Sequence, residues 1–301
     1  MTANNQSTVT VIGGSGFIGS HVADQLSEAG YNVRIYDRED SPWKRPDQEM
    51  ILGDLLDAEN LEKAIAGSQT VYNFAALADL NQALDKPVET VKVNILGNVN
   101  ALEACRKSGV GRYVYASTVY VYSREGGFYR CSKQAGEHYV EEYQRVYGLD
   151  YTILRYGSLY GPRADAGNGL LRIVKNAMET GKVSYEGSPD SLREYIHVED
   201  AAKASVVALG DDFCNQSVVL TGQEPMRVSD LLKMLAEILD IKEKIEFIEK
   251  ESVGHYVRTP YAYQPRLGRK YVPPLHVDLG QGLLQLIDEV RVAGIQKDNT
   301  A

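Results

Sequence analysis

TVTVIGGSGFIGSHVADQLSEAG, residues 8–30, runs from an apolar stretch through a glycine-rich turn into a segment with helical spacing. Gly13, Gly16 and Gly19 are spaced as GxxGxxG where a strand gives way to a helix. Such a turn lets backbone amides approach a pyrophosphate, and a side chain at the first glycines would block that approach. A glycine pattern alone is a weak signal. Here it has context, because Asp37 closes the next apolar run, where a carboxylate can accept hydrogen bonds from an adenosine ribose. Asp37 favours NAD over NADP, whose extra phosphate it would repel. Arg38 pulls the other way, since a guanidinium can stack on adenine or pair with a 2′-phosphate.

Outward from this turn, short apolar runs alternate with helical patterns. Strands are expected at 9–12, 33–37, 49–53, 70–75, 112–117 and 151–155, and helices at 17–29, 61–66, 88–107 and 129–147. Six strands separated by crossovers make an α/β, doubly wound parallel sheet of the Rossmann type. Past residue 155 the rhythm breaks at YGSLYGPRADAGNG. Helices follow at 170–180, 198–209 and 228–239, strands at 217–222 and 244–248, and a last helix near 279–290. The expected organisation is a dinucleotide-binding domain over 1–160, to which 191–222 returns. A smaller, interleaved α/β substrate domain takes 161–190 and 223–301.

With 301 residues, 44% hydrophobic and 24% charged, the chain has the composition of a soluble globular protein. No apolar run approaches bilayer length and MTANNQST lacks a secretory pattern, so no membrane partner and a cytoplasmic address are expected. A net charge of −9 opposes a nucleic-acid surface. Cys105, Cys131 and Cys214 form no CxxC pair and have no histidine at metal spacing, so neither a disulfide framework nor a metal site is expected.

YRCSK, Tyr129 to Lys133, sets an ammonium one helical turn after a phenol, so both can face one site. A free phenol has a pKa of about 10. A nearby ammonium, joined by the positive nicotinamide of an oxidised cofactor, is expected to lower that value so that Tyr129 can act as a base. With 20 tyrosines in the chain the spacing can arise by chance on an amphipathic helix. It gains weight from Ser117 and Thr118, hydroxyls at the carboxyl end of the fifth strand, the edge where open α/β sheets bind ligands.

GGSGFIGSH, GDLLD, NFAALAD, VNILGNVNALEAC, ASTVYVYS, YRCSK, LRYGSLYGPR and REYIHVEDAA occur in that order over most of the chain. In this ordered set the sequence resembles the extended short-chain dehydrogenase/reductase family, in its group of NAD-dependent nucleotide-sugar epimerases and dehydratases. The resemblance implies Thr118, Tyr129 and Lys133 as the catalytic set. It implies backbone contacts from Phe17 and Ile18 to pyrophosphate, Asp37 on the ribose, and Asp54 with Leu55 beside adenine. Ala75 and Ala76 would line the cofactor cleft with Asn94 nearby, and Tyr156 and Ser158 would meet nicotinamide and sugar. Arg193 and Arg258 would grip the diphosphate of a nucleotide-diphosphate sugar, a task suited to a planar guanidinium, although Arg193 could instead pair with Glu194 or Glu199. A homodimer built on the helices at 88–107 and 129–147 is implied as well.

Departures from the family pattern narrow the activity. Val119 and Tyr120 stand where the 4,6-dehydratases carry Asp and Glu, so elimination lacks its acid and base. The segment from Val119 to Phe128 is shorter than usual, and Gly157 and Ser158 replace a phenylalanine and an asparagine, so a more open sugar pocket is expected. The resulting expectation is a nucleotide-sugar 4-epimerase acting through a transient keto sugar. The alternatives are an NAD(P)H-dependent 4-keto reductase and a non-catalytic dinucleotide sensor.

Overall fold

Strands buried on both faces read as nearly unbroken apolar runs, and those of the first half lie side by side in one sheet. The structure, a computed structural model, describes residues 7–242, 245–248 and 260. In chain order it begins with β1 (Thr8–Ile12), α1 (Phe17–Glu28), β2 (Asn32–Asp37), β3 (Glu49–Leu52), α2 (Ala58–Ile65) and β4 (Thr70–Asn73). There follow α3 (Leu80–Asp85), α4 (Pro87–Val91), α5 (Gly97–Ser108), β5 (Arg112–Thr118), α6 (Gly127–Tyr147) and β6 (Asp150–Tyr156). The remainder supplies β7 (Ser158–Tyr160), α7 (Gly169–Thr180), β8 (Ser184–Glu186), β9 (Leu192–Arg193), β10 (Tyr195–His197), α8 (Val198–Val207), β11 (Gln216–Leu220), β12 (Met226–Arg227), α9 (Val228–Ile238) and β13 (Glu246–Ile248).

Seven strands form a parallel sheet in the order β11-β6-β5-β4-β1-β2-β3. The doubly wound sheet expected from the sequence is therefore present, and β11 adds a seventh strand beside β6. Alternation along β5 divides the core between two layers. Tyr113 and Tyr115 join Leu61, Leu102 and Val140 on the side of α2, α5 and α6. Val114 and Ala116 join Val22, Leu26 and Ala201 on the side of α1 and α8. Each such buried side chain contributes roughly 1.5–3 kcal/mol of transfer free energy. A third cluster, Ala177, Val183, Val228, Leu232 and Ala236, binds α7 to α9.

Chain order reverses between β1 and β4, which makes their carboxyl ends the crevice in which such sheets bind ligands. Several element ends differ from expectation for local reasons. β4 stops at Asn73 because the Asn73 side chain accepts the Ala75 amide at 3.2 Å and turns the chain out of the sheet. The helix expected at 61–66 starts at Ala58, where the Asp57 carboxylate caps it by accepting from the Asn60 amide. The helix expected over 88–107 begins with Pro87 and is interrupted by a π-helical turn at Lys92–Leu96. The helix expected near 279–290 and the Arg258 assignment lie outside the described residues. Among the described residues, no helix is long and apolar enough to cross a membrane.

Candidate active site

The turn between β1 and α1 sits directly against the chain leaving β4. Gly13 has φ +77°, and a Cβ there would lie 2.6 Å from the Ala75 nitrogen, so no other residue fits. A Cβ on Gly19 would lie 2.2 Å from the Gly13 carbonyl oxygen, which is how α1 packs so close behind the turn. Phe17 and Ile18 open the helix, with Gly16 as an N-cap that contributes no side chain. Their amides belong to the first turn, whose N–H groups have no partner within the helix and favour an anion. The Asp37 carboxylate is fixed beside them, accepting from the Ser15 amide at 3.0 Å and the Arg38 amide at 2.7 Å. A carboxylate offers about four acceptor positions, and with the Glu39 amide at 3.4 Å as a third donor Asp37 retains one for a ribose hydroxyl. The side chain of Arg38 is exposed at the rim.

These features fit NAD: a turn that any Cβ would fill, a helix N-terminus for the pyrophosphate, and an anchored carboxylate for the ribose. Ala75 and Ala76 are half-buried on the opposite wall. Asp54 is exposed, and its carboxylate accepts from the Leu56 amide at 2.8 Å. Leu55 is buried in the core layer with Leu61 and Leu102, so its side chain packs inward.

Asn94 lies next to the Ala75–Ala76 wall, bonded to the residue that follows it. It is 2% exposed, and its amide group spans two elements. The oxygen accepts from the Leu77 amide at 2.7 Å, while the nitrogen donates to the Leu77 carbonyl at 3.1 Å and to the Ser132 hydroxyl at 2.9 Å. The π-helical turn aims this side chain, which ties the loop after β4 to α6.

The three expected catalytic residues converge on one edge. Thr118 ends β5, is largely buried, and its hydroxyl accepts from the Tyr120 amide at 3.3 Å. Tyr129 lies in the first turn of α6 and Lys133 follows one turn later on the face against β5. The Lys133 ammonium donates to the Ala116 carbonyl at 2.7 Å and sits 4.8 Å from the Tyr115 ring centroid and 5.9 Å from that of Tyr129. Burial pushes the Lys133 ammonium down to about 8, with Glu137 opposing. The expected lowering of Tyr129 is not reached by the protein alone: burial pushes its phenol above the ordinary value. In the dry site the lysine near its ring does not outweigh the loss of water around a phenolate.

On the substrate side, Tyr156 is a correction. Its hydroxyl pairs with the Ser205 hydroxyl at 2.6 Å and its ring packs near Phe74 in the layer under α8, so its side chain faces away from the cleft. Ser158 heads β7, with its amide donating to the Glu194 carbonyl at 3.3 Å, and is half-buried. Gly157 is closely surrounded. A Cβ there would meet the Thr221 methyl at 2.9 Å and the Glu194 carbonyl at 3.3 Å, so the missing side chain answers packing beneath the loop. Arg193 is 8% exposed in β9, which pairs antiparallel with β12, and one guanidinium nitrogen donates to the Leu192 carbonyl at 3.1 Å.

Two paired charges, Glu137 buried and Arg155 half-buried, escaped the sequence reading. Glu137 lies one turn beyond Lys133, so the spacing Tyr129, Lys133, Glu137 was its available signal. Arg155 is its salt-bridge partner at 2.6 Å and shows in the sequence only as a charge inside the apolar run TILRY.

A family model described as "NAD dependent epimerase/dehydratase family" matches residues 9–219. The chain is 29% identical to a putative UDP-glucose 4-epimerase of Methanocaldococcus jannaschii, with 93% of this chain and 97% of that protein covered. It is 26% identical to a dTDP-glucose 4,6-dehydratase of Mycobacterium tuberculosis, covering 93% and 92%. The fold superposes on the UDP-glucose 4-epimerase of Thermus thermophilus in complex with NAD, with a TM-score of 0.75, 28% identity, and 87% and 95% of the two chains covered.

Proposed function

The chain belongs to the NAD dependent epimerase/dehydratase family, and from that premise we propose that it is a nucleotide-sugar 4-epimerase. The observation that carries this reading is the bond of the Lys133 ammonium, one turn after Tyr129 on α6, to the Ala116 carbonyl, two residues before Thr118 at the end of β5. Tyr129 takes the proton of the C4 hydroxyl, Thr118 hydrogen-bonds the reacting oxygen, and the Lys133 ammonium favours the phenolate. Bound NAD supplies the acceptor for the hydride leaving C4 and the donor that returns it to the other face. Gly13, Gly16, Phe17, Ile18 and Gly19 hold its pyrophosphate, and Asp37 its ribose. Their fixed geometry suits a cofactor that stays bound through the cycle.

In this reading residues 1–160, with 191–222, bind the dinucleotide, and residues 161–190 and 223–301 bind the sugar. Ser158 faces the sugar, and Arg193 holds the diphosphate. Dehydration is disfavoured by Val119 and Tyr120, since neither side chain can supply the carboxyl acid or base of an elimination. The protein acts as a cytoplasmic homodimer in this reading.

One observation favours a second reading. The exposed Arg38 guanidinium beside Asp37 suits a 2′-phosphate and with it an NADPH-dependent 4-keto reductase. Incubating purified protein with a panel of UDP- and dTDP-sugars and following C4 by proton NMR separates the two. Inversion at C4 without added cofactor is expected. Turnover of a 4-keto sugar that requires added NADPH, with no inversion, would establish the reductase instead.

A further inference from the structure

Lys133 has a carboxylate one helical turn away on its own buried face, yet its ammonium bonds to the Ala116 carbonyl. Both Glu137 oxygens are occupied by others. Oε1 accepts from the Ser117 hydroxyl at 2.5 Å and from Arg155 Nε at 2.9 Å, and Oε2 accepts from Arg155 Nη2 at 2.6 Å. Arg155 is the register partner of Ser117 across β5 and β6, so this bidentate grip is built into the sheet. Its third nitrogen donates to the Tyr122 hydroxyl, and the guanidinium lies 4.8 Å from the Tyr122 ring centroid. Tyr122 belongs to the short segment between Thr118 and Tyr129, so four elements meet at one pair.

We infer that Arg155 is a positioning residue: by occupying Glu137 it keeps Lys133 directed at the end of β5 and at Tyr129, where it would otherwise pair with its own helical neighbour. The inference rests on the catalytic reading of Tyr129 and Lys133. The groups facing Lys133 are Tyr129 and Glu137 from α6, Tyr115 and Ser117 from β5, and, behind Glu137, Arg155 from β6 and Tyr122 from the short segment. Glu137 is the one negative group among them. The Tyr115 hydroxyl is buried with no hydrogen-bond partner among the described residues, so it makes no bond to the ammonium.

Opposite shifts of the alkaline limb of the pH–rate profile are the consequence. Burial brings Lys133 to about 8, and protonated Lys133 supports the phenolate, so activity falls as pH rises through that region. In Glu137→Gln the ammonium loses its negative neighbour, gives up its proton more readily, and the limb moves down by about one pH unit. In Arg155→Gln the freed carboxylate captures Lys133 and holds its proton, so the limb moves up by about one pH unit, while kcat falls roughly tenfold because the ammonium has turned away. A buried charge left unpaired can unfold a single variant, so Glu137→Gln/Arg155→Gln is measured beside them. With both charges removed it is expected to melt near the wild type and to keep the downward shift. Limbs that stay in place, or that move the same way in both single variants, overturn the positioning role, as does an unmoved limb in the double variant. Tyr129→Phe in the same series separates this from the underlying reading: lost turnover there with unmoved limbs overturns only the role of Arg155, whereas retained turnover overturns the catalytic assignment itself.

Discussion

The ammonium of Lys133 donates at 2.7 Å to the carbonyl of Ala116, two residues before Thr118, so a single side chain ties the helix that carries Tyr129 to the strand that ends in Thr118. Lys133→Met, which keeps the stem and removes the charge, is expected to lower kcat roughly 100-fold or more. The alkaline limb of its pH–rate profile should vanish with the group that produces it. Steady-state rates across pH check both outcomes, and a variant within a few-fold of wild type would remove Lys133 from the chemistry.

Gly16 and Gly19 make unequal demands. A Cβ on Gly16 would stand 3.3 Å from the Gly13 oxygen on the exposed side of the turn, whereas one on Gly19 would collide with it at 2.2 Å. Gly19→Ala is expected to destabilise the fold by roughly 1–3 kcal/mol through overpacking. Gly16→Ala should melt close to wild type and yet retain less NAD, because its methyl group faces the pyrophosphate. Thermal melts and the NAD content of purified protein distinguish these effects.

Asp37 anchors itself to the turn through the Ser15 amide while Arg38 stands exposed beside it. Asp37→Ala is expected to weaken NAD binding by roughly 10- to 100-fold, the scale of one or two lost charged hydrogen bonds. NADP should lose less or gain, because the repulsion is gone and the guanidinium remains. Calorimetric titration with both dinucleotides tests this, and an equal loss for both would show that Asp37 does not discriminate.

Val88 and Val91 on α4, and Tyr139, Val146 and Tyr147 on α6, expose roughly half or more of their surface. The resemblance implies a homodimer through α4, α5 and α6, which would cover these side chains. Val91→Glu with Tyr139→Glu should convert the dimer to a monomer in sedimentation velocity at micromolar concentration. A wild-type chain that sediments as a monomer contradicts the expectation.

Much of the fold was legible because parallel strands covered on both faces announce themselves as apolar runs, and because Gly13, Gly16 and Gly19 punctuate the first crossover. The residues misplaced were those whose role depends on which face they turn to. Tyr156 shares its face of β6 with Leu154, under α8, so a residue expected beside nicotinamide is a core residue instead. Motif spacing alone does not reveal that the Asn94 amide also holds Leu77 to Ser132 or that the Leu55 side chain packs inward. Gly157 illustrates the same limit: its small size answers to Thr221 and Glu194, neighbours that only the folded chain brings near. Glu137 could be read from helical spacing, but its capture by Arg155 requires the register of β5 with β6.

Removal of one oxygen atom addresses the central assignment most directly. Wild type and Tyr129→Phe, each purified without added cofactor, are incubated with UDP-glucose and followed by proton NMR at C4, with bound NAD quantified in both. The expected result is C4 inversion by the wild type and a loss of roughly 100-fold or more in the variant at unchanged NAD content. Inversion by Tyr129→Phe at the wild-type rate would contradict the assignment of Tyr129 as the proton acceptor.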